Sequence, residues 1–226
     1  MRYARHRTRD VNRIDHKCSM PTPYEAIHEL KSREDAEALK ALAAAAKSTD
    51  QFLRRSAVEV IGLHPRGREL QSIILDALTD MSGYVVRTAC DVVERCELAE
   101  AHDRVRALLT DASEATRQRA VRTLGSIWVD EDFPLIFRIY SNDSEIDVRR
   151  EAAWVLRQRA TSANWQPLFD AFRLDELARH RLWACELAEA FSGAEILPML
   201  SELASDVDGH VRKAASRAVQ AISKRA

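Results

Sequence analysis

The chain has 226 residues, 46% hydrophobic and 31% charged, with a formal net charge of −1, a length that suits one domain or a short repeat array with a continuous core. No apolar run approaches the roughly 18 residues of a bilayer-spanning helix, which excludes a membrane span. The four cysteines form no CxxC pair and no secretory framework, so we expect reduced thiols and a cytoplasmic location.

The first residues of the chain are basic. Residues 1–17 contain six cations and two acids, a local charge of +4, so the rest of the chain carries about −5. We expect residues 1–20 to be a poorly structured arm, because this segment has little to bury. It is either a basic tail that touches nucleic acid, membrane phosphates or an acidic partner, or an extension ahead of a functional start at Met20. The remaining residues, 21–226, form the predicted folded body.

One sequence pattern recurs six times in this body. An arginine follows an apolar or small residue, and small or apolar residues follow it three and six to seven places on, as in Val148-Arg149 with Ala152, Val155 and Leu156. These anchor arginines are Arg54, Arg87, Arg117, Arg149, Arg181 and Arg212, separated by 33, 30, 32, 32 and 31 residues. An aspartate precedes each one by four to seven positions: Asp50, Asp80, Asp111, Asp143, Asp175 and Asp206. A register kept six times indicates a repeat protein.

Each period is predicted to contain two helices. The second, the B helix, starts at the aspartate turn, where the acid can cap free N–H groups, and carries apolar residues at helical spacing. The first, the A helix, is predicted at 34–47, 70–78, 105–109, 133–140, 165–172 and 196–203, after a short capping helix at 23–31 begun by Thr22 and Pro23. Neither helix can bury its apolar stripe alone, so the hairpins must stack. The sequence therefore predicts an all-α, right-handed α-solenoid of about six helical hairpins.

The paired aspartates and arginines are predicted to form a structural ladder along one edge of the stack, stabilised by charge-assisted hydrogen bonds. Its predicted members are Asp80, Arg87, Asp111, Arg117, Asp143, Arg149, Asp175, Arg181, Asp206 and Arg212. We interpret these arginines as structural rather than ligand-binding. Breaking one rung is expected to cost about 3 kcal/mol, because it leaves a partly buried charge without a partner.

The Asp…Val-Arg-x-x-Ala…Leu signature resembles HEAT repeats, and in particular the short HEAT-like repeats of the phycobilisome-lyase type. The resemblance covers about residues 34–226 and is specific for architecture rather than function. Proteins of this type include assembly scaffolds, adaptors, chromophore lyases, alkylpurine DNA glycosylases and deoxyhypusine hydroxylase. The last resembles a HEAT protein with several iron-binding His-Glu pairs, whereas the only His-Glu here, His28-Glu29, lies outside the repeats.

The sequence contains no recognisable catalytic constellation. There is no HExxH, no Cys/His cluster with metal spacing, no phosphate loop and no Gly-x-Ser-x-Gly elbow. We therefore expect a binding protein without cofactor or metal. An alkylpurine glycosylase-like or phycobilin lyase-like enzyme is the alternative; the acidic body argues against the former, because gripping duplex phosphates requires many cations.

A partner surface is predicted on the concave face, which B helices line in such solenoids. With the core stripe at −1, +3, +6 and +7 from each anchor, positions +1, +5 and +8 point outward. These positions hold Arg55, Glu59, Thr88, Val92, Arg95, Gln118, Arg122, Arg150, Trp154, Arg157, Leu182, Glu186, Glu189, Lys213, Arg217 and Gln220. We expect a binding site centred on Trp154, with an acidic segment of a partner protein lying over Arg95, Arg122, Arg150 and Arg157 and with Trp183 on its flank. Nucleic acid is a less favoured partner. The predicted function is that of a scaffold or adaptor, with an inhibitor or immunity-type protein as one variant.

Overall fold

The computed structural model describes residues 22–225, and all regular structure within that range is helical. The basic arm predicted at 1–20 lies outside the described residues. The 13 α-helices between residues 22 and 225 are α1 (Pro23–Glu29), α2 (Ala36–Ala45), α3 (Gln51–Ile61), α4 (Gln71–Ala77), α5 (Gly83–Cys96), α6 (His102–Ala107), α7 (Glu114–Ser126), α8 (Phe133–Asn142), α9 (Ile146–Gln158), α10 (Trp165–Phe172), α11 (Ala178–Phe191), α12 (Leu197–Leu203) and α13 (Gly209–Ser223).

The helix α1 caps the first hairpin and begins where the sequence predicts. The Thr22 hydroxyl accepts a hydrogen bond from the Glu25 backbone N–H at 3.3 Å, and the Glu25 carboxylate accepts one from the Thr22 N–H at 2.7 Å. This reciprocal capping box satisfies two N–H groups that a helix start leaves free, and Pro23 occupies the first helical position, where its missing N–H has no cost.

The other twelve helices form six hairpins, from α2–α3 to α12–α13, in which the first member is the A helix and the second the B helix. Successive B helices pack closely on each other at every junction except that between α9 and α11, whereas successive A helices do not approach comparably. The stack therefore curves with its B helices on the inner, concave side. The predicted all-α solenoid of about six hairpins is confirmed.

The third A helix is longer than the sequence indicated. A 3-10 turn at Ala99–Ala101 leads into α6, and a second 3-10 turn at Leu108–Thr110 follows it, so the helical segment exceeds the predicted 105–109. The reason is that Ala101, like Val105, is fully buried, which extends the apolar stripe toward the N-terminus.

The predicted core stripe describes the B helices well. In α9 the four stripe residues Val148, Ala152, Val155 and Leu156 are all buried. The stripe also accommodates a thiol, because Cys90 of α5 is fully buried and its pKa rises to about 12 through loss of hydration.

Two residues predicted to point outward are buried instead. Thr88 and Val92 of α5 expose 9% and 0% of their surface. The burial of Val92 follows from the close approach of the preceding hairpin at Gly62, where a Cβ atom would lie 2.6 Å from the Val92 methyl groups. Glycine at that position lets the end of α3 approach α5, and the face of α5 that the helical period turned outward becomes a contact between repeats.

The predicted ladder forms at alternate junctions. In each rung, the anchor arginine donates through Nε and Nη2 to both oxygens of the aspartate in the next repeat, at 2.7–2.9 Å. The three rungs are Arg54–Asp80, Arg117–Asp143 and Arg181–Asp206, with all six side chains at least 86% buried. These hydrogen bonds, outweighing the effect of burial, lower the pKa of each aspartate.

The remaining two junctions lack a rung, which corrects the prediction of a uniform ladder. Among the described contacts, Arg87 forms no ion pair with Asp111, and its guanidinium lies 5.0 Å from the centre of the Tyr84 ring. Arg149 does not reach Asp175, and its nearest carboxylate oxygen, on Glu176, is 4.0 Å away.

The aspartates of the ladder also order the turns between the helices. In each of these five turns an aspartate oxygen accepts the backbone N–H two residues further on, at 2.8–3.0 Å. Aspartate is favoured in such turns because its short side chain replaces a backbone acceptor. A side-chain cap on the B helix itself comes from Asp50 in α3 and from Asp208 in α13.

Candidate binding groove between α9 and α11

The concave face opens between the fourth and fifth repeats. Here α9 and α11 approach each other over a much shorter stretch than other successive B helices do. The opening forms a groove of about 600 Å³ that includes Arg122 of α7, Arg150 and Trp154 of α9, and Arg179 and Trp183 of α11. We call this the α9–α11 groove.

A buried polar network replaces the missing rung at this junction. The Asp175 carboxylate accepts hydrogen bonds from the Tyr140 hydroxyl at 2.5 Å and interacts with His180 Nδ1 at 2.9 Å. Burial opposes ionisation of Asp175, but these two hydrogen bonds still lower its pKa below the ordinary value. At this junction Asp175 is therefore bound by Tyr140 and His180, in place of the anchor arginine that binds the equivalent aspartate in the three closed rungs.

Trp154 is the most exposed tryptophan in the described part of the chain, with 46% of its surface accessible. Its neighbours Ala153 and Val155 are buried in the stack, so the indole projects from the opposite face of α9. Within residues 22–225, no aromatic ring or guanidinium stacks on the indole, and its N–H finds no acceptor. The side chain also borders a second, smaller cavity toward α7, so it separates two depressions. Its outward orientation agrees with the helical period, and its role as the centre of a binding site stays a prediction.

Trp183 is held rigidly on the other wall of the groove. Its ring stacks on His180 with centroids 5.2 Å apart, and His180 stacks on the buried Phe172 at 5.5 Å. The guanidinium of Arg157 lies 5.4 Å from the centre of the Trp183 ring. Cation–π attraction and ring stacking together orient the indole, which places it on the groove flank as predicted.

The predicted arginine strip is largely neutralised by carboxylates of the same chain. Arg122 donates two hydrogen bonds, at 2.8 and 2.9 Å, to Glu151, whose side chain is 93% buried. Gln118 lies 3.5 Å from the same carboxylate. The carboxylate of Glu151 was missed by sequence reasoning, which treated it only as part of a repeat motif, although it lies 29 positions after Arg122, close to one repeat period.

Two further arginines of the strip also have partners. Arg150 donates to Asp147 at 3.0 Å within α9, and Arg157 donates to Glu186 of α11 at 2.6 and 3.0 Å. The predicted continuous positive surface is therefore corrected to a row of ion pairs. The fourth member, Arg95, is exposed and has no carboxylate within ion-pair distance among residues 22–225.

Arg179 is a cation of the groove that the sequence analysis missed. It is the second residue of α11, it is exposed, and it pairs with no carboxylate in the described range. The sequence analysis assigned outward positions only after each anchor arginine, at +1, +5 and +8. Arg179 lies two places before Arg181 and was therefore not included. Its position at the start of a B helix, beside the exposed turn, was the available signal.

Between residues 22 and 225, no group of three or more His, Cys, Asp or Glu side chains is arranged to hold a metal ion. None of the helices in that range combines the length and the apolarity needed to traverse a bilayer.

Comparison with protein-family models yields two matches. A model described as HEAT repeats matches residues 72–157, and a model described as HEAT repeat matches residues 196–226, together more than half of the chain. A search of curated proteins gives no match. Both family models describe HEAT repeats in general, and the finer assignment to the phycobilisome-lyase type stays a prediction.

Solved structures show the same fold at low sequence identity. The Escherichia coli protein YibA is 17% identical with a TM-score of 0.56, covering 92% of this chain and 80% of its own. The archaeal HEAT-like repeats protein from Thermococcus onnurineus NA1 is 13% identical with a TM-score of 0.52, covering 91% and 98%. A designed armadillo repeat protein is 18% identical with a TM-score of 0.53, covering 80% and 98%. These similarities establish a helical repeat solenoid.

Proposed function

This chain is a HEAT-repeat protein, and from that premise we propose that it is a protein-binding scaffold or adaptor whose partner lies in the α9–α11 groove over Trp154. The observation that carries the proposal is the exposed, unstacked indole of Trp154 at the point where the B helices separate. Tryptophan and arginine in a concave surface are the residues that most often dominate binding energy at protein interfaces.

The hydrogen-bonding capacity left in the groove supports an acidic partner segment. Both oxygens of Glu151 are engaged by Arg122, whereas Arg179 and the indole N–H of Trp154 have no acceptor in the described chain. These exposed groups are hydrated in the free protein, so a partner that covers them must replace the water with acceptors of its own, and a carboxylate is the acceptor that an arginine binds most strongly. We propose that an acidic side chain of the partner meets Arg179 while an apolar or planar group covers Trp154.

We further propose that the site acts by binding rather than by catalysis. A general acid or base needs a carboxylate that is free to exchange a proton with a substrate. The two acids of the groove, Glu151 and Asp147, are instead engaged by Arg122 and Arg150. An inhibitor or immunity-type protein that occludes another protein with this surface is a specific form of the same proposal.

The test compares three tagged baits, wild type, Trp154→Ala and Phe52→Ala, in affinity capture with quantitative mass spectrometry. Phe52 is a matched control, because it is also an aromatic residue on a B helix and is exposed to 49%. We expect a partner that the wild type and Phe52→Ala retain and Trp154→Ala loses. With the purified partner, removal of the indole is expected to cost about 2 kcal/mol, roughly a thirty-fold rise in Kd.

An unchanged Kd for a folded Trp154→Ala variant contradicts the proposal. The enzymatic alternative has its own readout, which is retention of the wild-type chain on duplex DNA at low salt. Low salt is used because binding to phosphates falls steeply as salt rises. If the wild-type chain is retained on DNA and Trp154→Ala is not, the result favours a glycosylase-like activity over a scaffold.

A further inference from the structure

Arg212, the anchor arginine of α13, is held like the rung arginines but binds no aspartate side chain within residues 22–225. Its Nη1 donates to the Asp206 and Val207 carbonyl oxygens at 2.7 and 2.9 Å. Arg181 holds the equivalent carbonyls of its own turn in the same way, at 2.9 Å each. The Nε and Nη2 groups of Arg212 make no hydrogen bond within residues 22–225, and the side chain is exposed.

The three closed rungs show what this edge of the guanidinium binds. In each of them, Nε and Nη2 donate in parallel to the two oxygens of one aspartate, for example from Arg181 to Asp206 at 2.7 and 2.9 Å. The fork geometry of arginine matches a carboxylate in this bidentate manner. Arg212 therefore presents, already oriented, the donor pair that takes a carboxylate three times elsewhere in the chain.

A second copy of the chain is a poor occupant for this position. In the first repeat, the residue six places before the anchor Arg54 is Ser48 rather than an aspartate, and its hydroxyl accepts the Asp50 N–H at 3.1 Å. The nearby Asp50 carboxylate is used by the Tyr24 hydroxyl at 2.7 Å and the Phe52 N–H at 2.8 Å. A head-to-tail neighbour would thus bring no free aspartate to Arg212.

The surroundings of Arg212 favour an acidic ligand. It borders a shallow cavity of about 770 Å³ along α13 whose charged lining residues are Arg212, Lys213 and Arg217, with no carboxylate in the lining. Arg217 is bound by Glu189 at 3.1 Å from the side of α11, whereas Arg212 and Lys213 form no salt bridge within residues 22–225. Three of the other lining residues, His210, Ser216 and Gln220, have polar side chains that suit a hydrated, charged contact.

We infer that the face of α13 around Arg212 is a second docking site, which binds an Asp or Glu side chain in an acidic segment of another protein. The carboxylate completes a fourth rung, receiving Nε and Nη2 of Arg212 while Lys213 contributes long-range attraction. This site lies at the C-terminal end of the described stack and does not depend on the α9–α11 groove.

Arginine side-chain NMR of the full chain tests the inference. The probe is the capped peptide Ser-Asp-Val-Asp-Gly, the sequence of residues 205–209, which forms the turn that Arg181 already grips. We expect the peptide to shift the Nε–H resonance of Arg212, assigned from its loss in Arg212→Lys. The resonances of Arg54 and Arg117, whose forks are occupied, are internal controls and should stay in place.

Two variants separate the fork from simple charge. Arg212→Lys keeps the cation but removes the bidentate donors. We expect its Kd for the peptide, measured from backbone NMR shifts during a titration, to be at least about five-fold higher than that of wild type. Lys213→Gln, which removes an adjacent cation, should bind at least half as tightly as wild type at physiological salt, because exposed charges are screened.

The inference is overturned if the Arg212 resonance does not move, or if a control peptide with both aspartates replaced by asparagine moves it equally. It is also overturned if Arg212→Lys binds as tightly as wild type. A duplex DNA oligonucleotide is the last arm. A shift produced by the DNA and not by the aspartate peptide would identify a nucleic-acid phosphate contact in place of the proposed protein contact.

Discussion

Neutralising Asp143 should destabilise the solenoid far more than the same change at Asp111. Asp143 closes a rung with Arg117 through two hydrogen bonds of 2.9 Å, and the two side chains are only 8% and 14% exposed. In Asp143→Asn the amide can still accept the Glu145 N–H, but Arg117 loses its counter-charge and faces amide hydrogens. Breaking one side of a buried ion pair costs about 3–5 kcal/mol, and the slight exposure of this rung favours the lower end, about 3 kcal/mol.

Asp111 is the matched control, because it accepts the Ser113 N–H at 2.8 Å just as Asp143 accepts Glu145, yet it forms no rung in the described structure. We expect Asp111→Asn to change stability by about 0.5 kcal/mol or less. For a chain of this size, 3 kcal/mol lowers the melting temperature by about 6–12 °C. Thermal and urea unfolding followed by circular dichroism measure both variants.

Equal melting temperatures for the two variants would refute the reasoning that the rung, rather than the turn, stabilises this junction. A double-mutant cycle with Arg117→Gln adds a second check. If the cost arises from the unpaired guanidinium, the two changes must couple by about 1 kcal/mol or more. Additive effects would show that the two side chains act independently.

Three further outcomes follow from individual contacts. The pKa of Asp143 is lowered mainly by hydrogen bonds from its rung partner Arg117. The extra stability of wild type over Asp143→Asn should therefore be full above the unfolded pKa of about 3.9 and disappear as the pH falls through the lower folded pKa. Unfolding midpoints of both proteins, measured over a series of acidic pH values, test this. Burial alone would lower the pKa of His102, but its contact with Asp132 at 2.8 Å raises it. The extra stability of wild type over His102→Gln should therefore be full below about pH 6.5 and decline as the pH rises through the raised folded pKa. A stability difference between the two proteins that grows with pH contradicts this. Gly62→Ala should cost about 1–3 kcal/mol through overpacking against Val92, and Val92→Ala in the same chain should recover part of that cost in urea unfolding.

The fold could be predicted from the chain because its determinants repeat. Six arginines in register mark six hairpins, and the spacing of Val148, Ala152, Val155 and Leu156 identifies the buried stripe of a helix without knowledge of its neighbours. These are properties within one repeat, set by the period of the α-helix and by the need of each hairpin to hide one face. The exposure of Trp154 followed from the same period.

What lies between repeats was decided by tertiary packing. The sequence could not show that Tyr140 and His180 both bind Asp175, because Tyr140 meets the other two residues only when the fourth and fifth hairpins stack. It could not show that Glu151 neutralises Arg122, since that pair joins two helices whose relative stagger is not encoded in the period of either one. Local periodicity fixes which way a side chain faces from its own helix, whereas the partner it meets depends on the offset and angle between hairpins. That offset results from all the side chains packed at the junction together.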